Sequence, residues 1–260
     1  GAGTEYLYGL LIQLLGHEAV YAVENPGYQK IGKIYRNYQV NWTYIDMDDE
    51  GVEVSQLEEK KVDIVHISPS HHYPTGIVMP ISRRYELLGW ASKGEGRYII
   101  EDDYDSELRL GGKPIPTLQS IDISEKVIYM NTFTKTLAST VRISYMILPR
   151  PLLEQFYQKL SFYSCTVSNF EQYTLDLFIK EGYFEKHINR LRNYYQNKKN
   201  GFLSAIWDSG MHKCVEISGE EAGVHFLMKL KTEKAEENVI ELAKAQGIKL
   251  SPLSKFYYEK

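Results

Sequence analysis

Cysteine is nearly absent: Cys165 and Cys214 are the two in 260 residues. They stand far apart with no CxxC pairing, which rules out a disulfide framework or a cysteine zinc centre; with no signal peptide, reduced thiols in a cytoplasmic protein are the expectation. Long apolar runs are missing too. None approaches the roughly 18 residues that a membrane-spanning helix needs, so no membrane partner is expected. Basic charge is not in excess: 30 lysines and arginines stand against 34 aspartates and glutamates, a formal net charge of −4. Such a chain has no field with which to hold a polyanion by neutralising phosphates. Repeats, low-complexity tracts and linkers of disordered composition are absent. So is an initiator methionine; the opening "GAGTEYLYGLLIQLLG" is expected to be an interior stretch of a longer protein, although its first glycines could also be a cloning scar.

What is present is a globular composition, 43% hydrophobic and 25% charged, enough for one large core or a large domain with a satellite. Over residues 4–15, Leu7, Leu10, Leu11, Leu14 and Leu15 recur at helical spacing, and Thr4 with Glu5 suits a helix start. A strand is predicted over 19–24, a turn at "NPGY", a helix over 29–38 and a strand over 42–46, followed by an acidic loop, "DMDDEG". A charged helix over 53–60 precedes "VDIVHIS", a buried-strand run, and "PSHHYPTG" is loop. A helix over 82–93 leads to "RYIIEDDY", with further strands at "KVIYMNT" and "ISYMILP". Helices are predicted over 151–160, 169–181 and 183–207, and "KCVEIS", "GVHFLMKL" and a last helix over 234–247 complete a small α+β unit. The alternation of helix and strand argues for an α/β sheet wrapped on both faces, with a site at the strand ends. The expected division is 1–150 for the core, 151–207 for connecting helices and 208–260 for the small unit.

Four loops carry candidate chemistry. "GAGT" ahead of a helix offers backbone N–H groups, a hydroxyl and the positive end of the helix dipole to an anion, or serves as a plain helix cap through Thr4. "IIEDDYDSE" ends an apolar strand in crowded acids, which must repel unless something cationic lies among them. Asp102 beside a protonated ring nitrogen would satisfy that demand; a solvated loop or a metal cluster are the other readings. "NTFTKTLASTVRISY" holds Lys135 seven residues before Arg142, among Thr132 and Thr134. A desolvated lysine near cations can serve as a Schiff-base amine, and an arginine can clamp a phosphate; a structural role for both stands beside this. In "ENPGY" and "PSHHYPTG", Tyr28 can stack on a flat ring and His71 or His72 can hydrogen bond one. His66, His71 and His72 match no usual ligand spacing, so no metal is expected.

Taken in order, these loops resemble the fold-type-I pyridoxal-phosphate enzymes. More narrowly, "IIEDDYDSEL", "PIPTLQSID", "VIYMNTFTKTL" with "VRISYMILP", and "PSHHYPTG" resemble the aminotransferase-like domain of MocR-type (GabR-like) regulators of the GntR family. The resemblance implies an α/β aspartate-aminotransferase-like fold: a large domain with a mixed, mostly parallel sheet between helices and a small C-terminal α+β domain, its amino-terminal part missing here. It implies pyridoxal 5′-phosphate held as a Schiff base on Lys135, with Asp102 on the ring nitrogen and Tyr104 on the phenolic oxygen. Gly3, Thr4, Thr132, Thr134 and Arg142 would surround the phosphate, and Tyr28 would lie against the ring. Where relatives carry an asparagine before "PTG" this chain has Tyr73, which leaves His71 as a candidate replacement. Where they hold a ligand carboxylate with arginines, it has Lys30 and Lys255. The implied function is effector sensing, in which an amino compound (an amino acid, a γ-aminobutyrate-like amine or a D-alanyl-D-alanine-like dipeptide) replaces Lys135 as an external aldimine. The exchange alters the geometry of a homodimer whose DNA contacts lie in a winged helix outside this chain. A true aminotransferase uses the same residues, and a fold that has lost its cofactor is a third reading.

Overall fold

A computed structural model describes residues 1–111, 115–220 and 223–259. Pro114, which opens the "PIPTLQSID" motif, and Lys260 lie outside the described residues. The chain begins with helix α1 (Thr4–Leu15), strand β1 (Val20–Asn25) and helix α2 (Gln29–Asn37). Strands β2 (Asn41–Asp48) and β3 (Gly51–Val52), helix α3 (Val54–Glu59) and strand β4 (Ile64–Ile67) follow. Next come helix α4 (Ile81–Ser92), strand β5 (Tyr98–Asp102), the short helix α5 (Leu118–Ile121) and strands β6 (Val127–Thr132) and β7 (Ser144–Ile147). Helices α6 (Arg150–Leu160), α7 (Asn169–Lys180) and α8 (Tyr183–Asp208) precede strands β8 (Val215–Ser218) and β9 (Leu227–Leu230) and helix α9 (Glu236–Ala245).

Seven strands form one sheet in the order β3-β2-β1-β4-β5-β6-β7. The pairs among β2, β1, β4, β5 and β6 are parallel, and β3 and β7 are antiparallel edges. Central strands such as "IVHI" are apolar almost throughout because both faces are covered. The pleat sends alternate residues to two cores. Ile64, Ile100, Ile128 and Met130 pack under α1, α2 and α6 on one face, while Val65, Ile67, Ile99 and Val127 pack under α3 and α4 on the other. Helix α1 turns its Leu7, Leu10, Leu11 and Leu14 stripe to the sheet. Each such fully buried leucine contributes about 1.5–3 kcal/mol of apolar burial.

The acidic stretch "DMDDEG" differs from the loop expected of it. Strand β2 runs on to Asp48 and returns at once through Gly51 (φ +121°) as an antiparallel hairpin, Met47 opposite Val52. Arg83 makes this possible. Its guanidinium lies 2.6 Å from Asp48 Oδ2 and donates to the Val52 carbonyl at 2.6 Å, neutralising the charge that would otherwise oppose pairing. Helix α7, closed by a capping box between Ser168 and Glu171, has no buried residue. Strands β8 and β9 form a separate two-stranded antiparallel sheet.

Candidate functional site

Parallel strands end together, and their following loops diverge to leave a crevice. Here the carboxyl ends of β1, β4, β5 and β6 open on a cavity of about 440 Å³, a size suited to a small molecule. Strand β1 delivers Glu24 and, one turn later, Tyr28; β4 delivers His66, Ser68 and, beyond it, Tyr73. Strand β5 supplies Asp102 and Tyr104, and β6 supplies Thr132, Thr134 and Lys135. The first turn of α1 adds Thr4 and Glu5, and Arg142 reaches in ahead of β7. Of the residues singled out from sequence, Thr4, Tyr28, Lys30, Asp102, Tyr104, Thr132, Thr134, Lys135 and Arg142 all line this one space. Gly3 stands at its edge with φ +96°. A Cβ there would fall on the Arg142 guanidinium, at a separation that real Cβ atoms do not show.

Asp102 is the electrostatic centre. Its Oδ2 accepts from the Tyr8 hydroxyl at 2.6 Å and lies 3.5 Å from His66 Nε2, whose Nδ1 is 2.9 Å from the Tyr35 hydroxyl. Its Oδ1 is buried without a partner, a costly arrangement unless something that enters the cavity donates to it. Burial, with the Asp102 charge beside it, holds the Tyr8 phenol well above its ordinary value, so Tyr8 donates and does not ionise. Elsewhere in the wall a hydroxyl cluster gathers: Thr132 Oγ1 lies 2.8 Å from Thr134 Oγ1 and accepts from Ser144 Oγ at 2.9 Å. These features fit pyridoxal phosphate. An unpartnered carboxylate oxygen suits a protonated ring nitrogen, and hydroxyls, an arginine and a helix start that only glycine can enter suit a phosphate.

The crowded acids of "IIEDDYDSE" are resolved one by one. Glu101 points to the far face, fully buried, where it accepts from the N–H groups of Leu118 and Gln119 at 2.9 Å each and lies 3.5 Å from the buried Arg84. Burial pushes its carboxyl up to about 7, against those two hydrogen bonds and the Arg84 charge. Arg84 in turn donates to the Pro69 and Pro116 carbonyls, tying the loops that follow β4 and β5 to α4. Asp103 accepts from Ser106 and Tyr129, and Asp105 takes His71. Only Asp102 of this group lines the cavity.

Three expectations are corrected. His71 is not a cavity residue: its Nδ1 lies 2.8 Å from Asp105 Oδ2 and its ring stacks on His225 at 4.0 Å. Asp105 claims it, so Tyr73 itself takes the wall position left by the missing asparagine. Lys255 sits exposed in the turn Leu253–Phe256 and does not line the cavity; its neighbour Phe256 packs edge-on against Tyr73 at 5.2 Å, behind the wall. Lys135 lies exposed on the open side of the cavity, not in a desolvated pocket. Tyr104 lines the wall and donates to the His71 carbonyl at 2.9 Å, and Tyr28 stands half exposed at the rim. His71, Asp105 and His225 come within 4.8 Å of one another through their ligand atoms, a cluster that lies outside the lining of the cavity.

Sequence reasoning missed Tyr8, His66, Glu24 and Glu5. Tyr8 lies one helical turn after Thr4, and that i, i+4 spacing was the available signal. Glu24 is buried, accepts from the Ser68 N–H at 3.1 Å, and is pushed up to about 8, chiefly by burial. His72, 3.4 Å away, is pushed down to about 3 by burial and by His225 and His71, so both groups favour their neutral forms.

The whole chain, residues 1–260, matches the aminotransferase class I and II profile. It is 41% identical over 258 residues to the uncharacterized HTH-type transcriptional regulator YdeL of Bacillus subtilis, covering 99% of this chain and 55% of that protein. It is 38% identical over 259 residues to a second such regulator of that organism, YhdI, again covering 55% of it. The chain thus spans about half the length of the curated relatives it matches. Among solved structures, the Pyrococcus horikoshii kynurenine aminotransferase superimposes with a TM-score of 0.82 at 29% identity, covering 99% of this chain and 66% of that one.

Proposed function

The chain belongs to the aminotransferase class I and II family, and from that premise we propose that it is the pyridoxal-phosphate-binding, ligand-sensing domain of a transcriptional regulator. The observation that carries the cofactor part is the buried, unpartnered Oδ1 of Asp102, in the same cavity as Lys135 and Arg142. The sensing part is supported by the regulators YdeL and YhdI, which are similar over nearly the whole chain.

When bound, pyridoxal phosphate supplies an aldehyde that condenses reversibly with primary amines. The residues of this chain do the holding. Asp102 keeps a proton at the ring nitrogen, and its own position is set by the Tyr8 hydroxyl and the His66–Tyr35 pair. Arg142, Thr132, Thr134 and the amino end of α1 take the phosphate, and Lys135 offers its amine from the open side. Tyr104 would have to turn its hydroxyl from the His71 carbonyl to donate to the phenolic oxygen, and Tyr28 stands at the rim. A small primary amine is the effector. Its arrival changes the relative stability of two arrangements of a homodimer and so the affinity for DNA, through a part of the protein beyond these residues. The formal net charge of −4 agrees with a DNA-contacting part elsewhere, and the two free, exposed cysteines with work in the cytoplasm.

The kynurenine aminotransferase likeness favours a second reading, in which the same residues turn over amino donors and keto acceptors. Full-length protein reconstituted with pyridoxal phosphate separates the two. Sensing predicts an absorbance band near the visible edge that Lys135→Ala abolishes, and DNA affinity that shifts with added amine without sustained turnover. Steady multiple-turnover transamination would overturn the sensing reading, and a colourless reconstituted wild type would overturn both.

A further inference from the structure

Glu24 lines the cavity, yet nothing in the reading above uses it. Its side chain is buried, and its Oε2 accepts from the Ser68 N–H at 3.1 Å. Burial, with the Asp102 charge, raises this carboxyl to about 8 against that hydrogen bond, so at neutral pH it carries a proton. His72 Nε2 lies 3.4 Å from Oε2 and makes no hydrogen bond; that separation is too long for a good O–H donor. The other ionisable groups that feel or shape the Glu24 charge are Asp102 and Tyr104, from β5 and the loop after it, and Tyr258 from the last segment. With His72 neutral as well, none of them is a cation that would favour the Glu24 anion.

The chemistry of the cofactor says where such a donor belongs. On its pyridine ring the phosphate arm and the phenolic oxygen stand on opposite edges, either side of the carbon that carries the aldehyde. In the sheet, β6 and β7 lie to one side of β5, and β4 and β1 to the other. Thr132 and Thr134 come from the end of β6, and Arg142, whose partner Glu5 also hydrogen bonds Lys30, stands just ahead of β7. With the ring nitrogen at Asp102 of β5 and the phosphate toward β6 and β7, the phenolic oxygen falls toward β4 and β1. That side is lined by Glu24, His66, Ser68 and Tyr73. Tyr73 stands where an asparagine is expected, its ring packed edge-on by Tyr28, His225 and Phe256, and Tyr104 directs its hydroxyl to the His71 carbonyl. We infer that the Glu24 carboxyl is a cofactor-binding group that donates to the phenolic oxygen, in place of the asparagine for which this chain has Tyr73. This inference rests on the cofactor reading and deepens it.

The test uses full-length protein and two ligands, pyridoxal phosphate and its analogue with hydrogen in place of the phenolic hydroxyl, with Kd read by equilibrium dialysis. Glu24→Leu should raise the Kd of pyridoxal phosphate about tenfold or more and leave that of the analogue nearly unchanged. Glu24→Gln, whose amide still donates, should hold both within about threefold of the wild type. Above about pH 8 the free wild type gives up the Glu24 proton, so its affinity for pyridoxal phosphate should fall about tenfold per pH unit relative to the glutamine variant. Equal loss of both ligands in Glu24→Leu, or loss of neither, overturns the inference, as does a loss in Glu24→Gln that matches Glu24→Leu. So does one pH profile shared by the wild type and Glu24→Gln, and that comparison decides alone if the leucine variant, which strands the Ser68 N–H, does not fold. Any of these with the wild-type cofactor band present refutes this inference alone, whereas absence of the band from the wild type refutes the cofactor reading beneath it.

Discussion

Replacing Asp102 by asparagine should stabilise the cofactor-free protein while weakening cofactor binding. Asp102 Oδ2 has the Tyr8 hydroxyl at 2.6 Å, and Oδ1 has no partner although buried. An unsatisfied buried polar atom costs about 1–3 kcal/mol, more when charged. Asparagine keeps an oxygen for Tyr8 and removes the charge, so a gain of about 1 kcal/mol is expected, read as a rise of about 2–4 °C in Tm for a chain of this size. The same change removes the anion that a protonated ring nitrogen needs. A hydrogen bond to a charged group contributes about 1.5–3 kcal/mol, so the cofactor Kd should rise about 10- to 100-fold, measured by equilibrium dialysis. Asp102→Ala sharpens the test, because it also strands the buried Tyr8 hydroxyl. It should lose stability by about 1–3 kcal/mol while binding cofactor as poorly as the asparagine variant. If asparagine destabilises the free protein as alanine does, and binding is unchanged, Asp102 is a structural residue and the site assignment fails.

Glu24 makes stability depend on pH. Its folded carboxyl is raised from the ordinary range to about 8, so the native state holds a proton that the unfolded chain releases. The stabilisation is full below the unfolded value and is lost as pH rises through about 8. Between pH 6.5 and 8 the wild type should lose about 2 kcal/mol relative to Glu24→Gln in urea titrations, and parallel curves would refute the assignment of a neutral Glu24. His72, lowered to about 3, acts in the opposite sense at lower pH: it costs stability below that value and ceases to cost it as pH rises through 6.5. Gly3→Ala should weaken binding of pyridoxal phosphate about tenfold or more while changing affinity for pyridoxal, which has no phosphate, far less, because the added Cβ displaces Arg142. An equal loss for both compounds would show that Gly3 serves only the start of α1.

Much of the fold was legible because local spacing encodes local structure. The leucine stripe over residues 4–15 is the buried face of α1, and the apolar runs became the central strands, with ends shifted by a residue or two. The exception, the β2–β3 hairpin, depends on Arg83, some thirty-five residues downstream of Asp48, which no local pattern announces. In the site, the resemblance carried by the loops singled out Asp102, Lys135 and Arg142, and the fold brings the three to one cavity. The roles of His71 and Lys255 were not legible. A histidine in a strand-end loop looks the same on paper whether it faces a ligand or, as here, a carboxylate 34 positions on.

By itself the sequence determined the periodicities, and with them the α/β class, the covered sheet, and the strand-end loops on which any site had to lie. Only the tertiary structure decided how four neighbouring acids divide their partners, which one is left with a free oxygen toward the cavity, and that Glu5 holds two cations at once. The division has a physical cause. Helix and strand preferences are settled within a turn or a pleat, whereas the state of a charge is set by whatever the fold brings near it, and Arg142 meets Glu5 across 137 positions of chain.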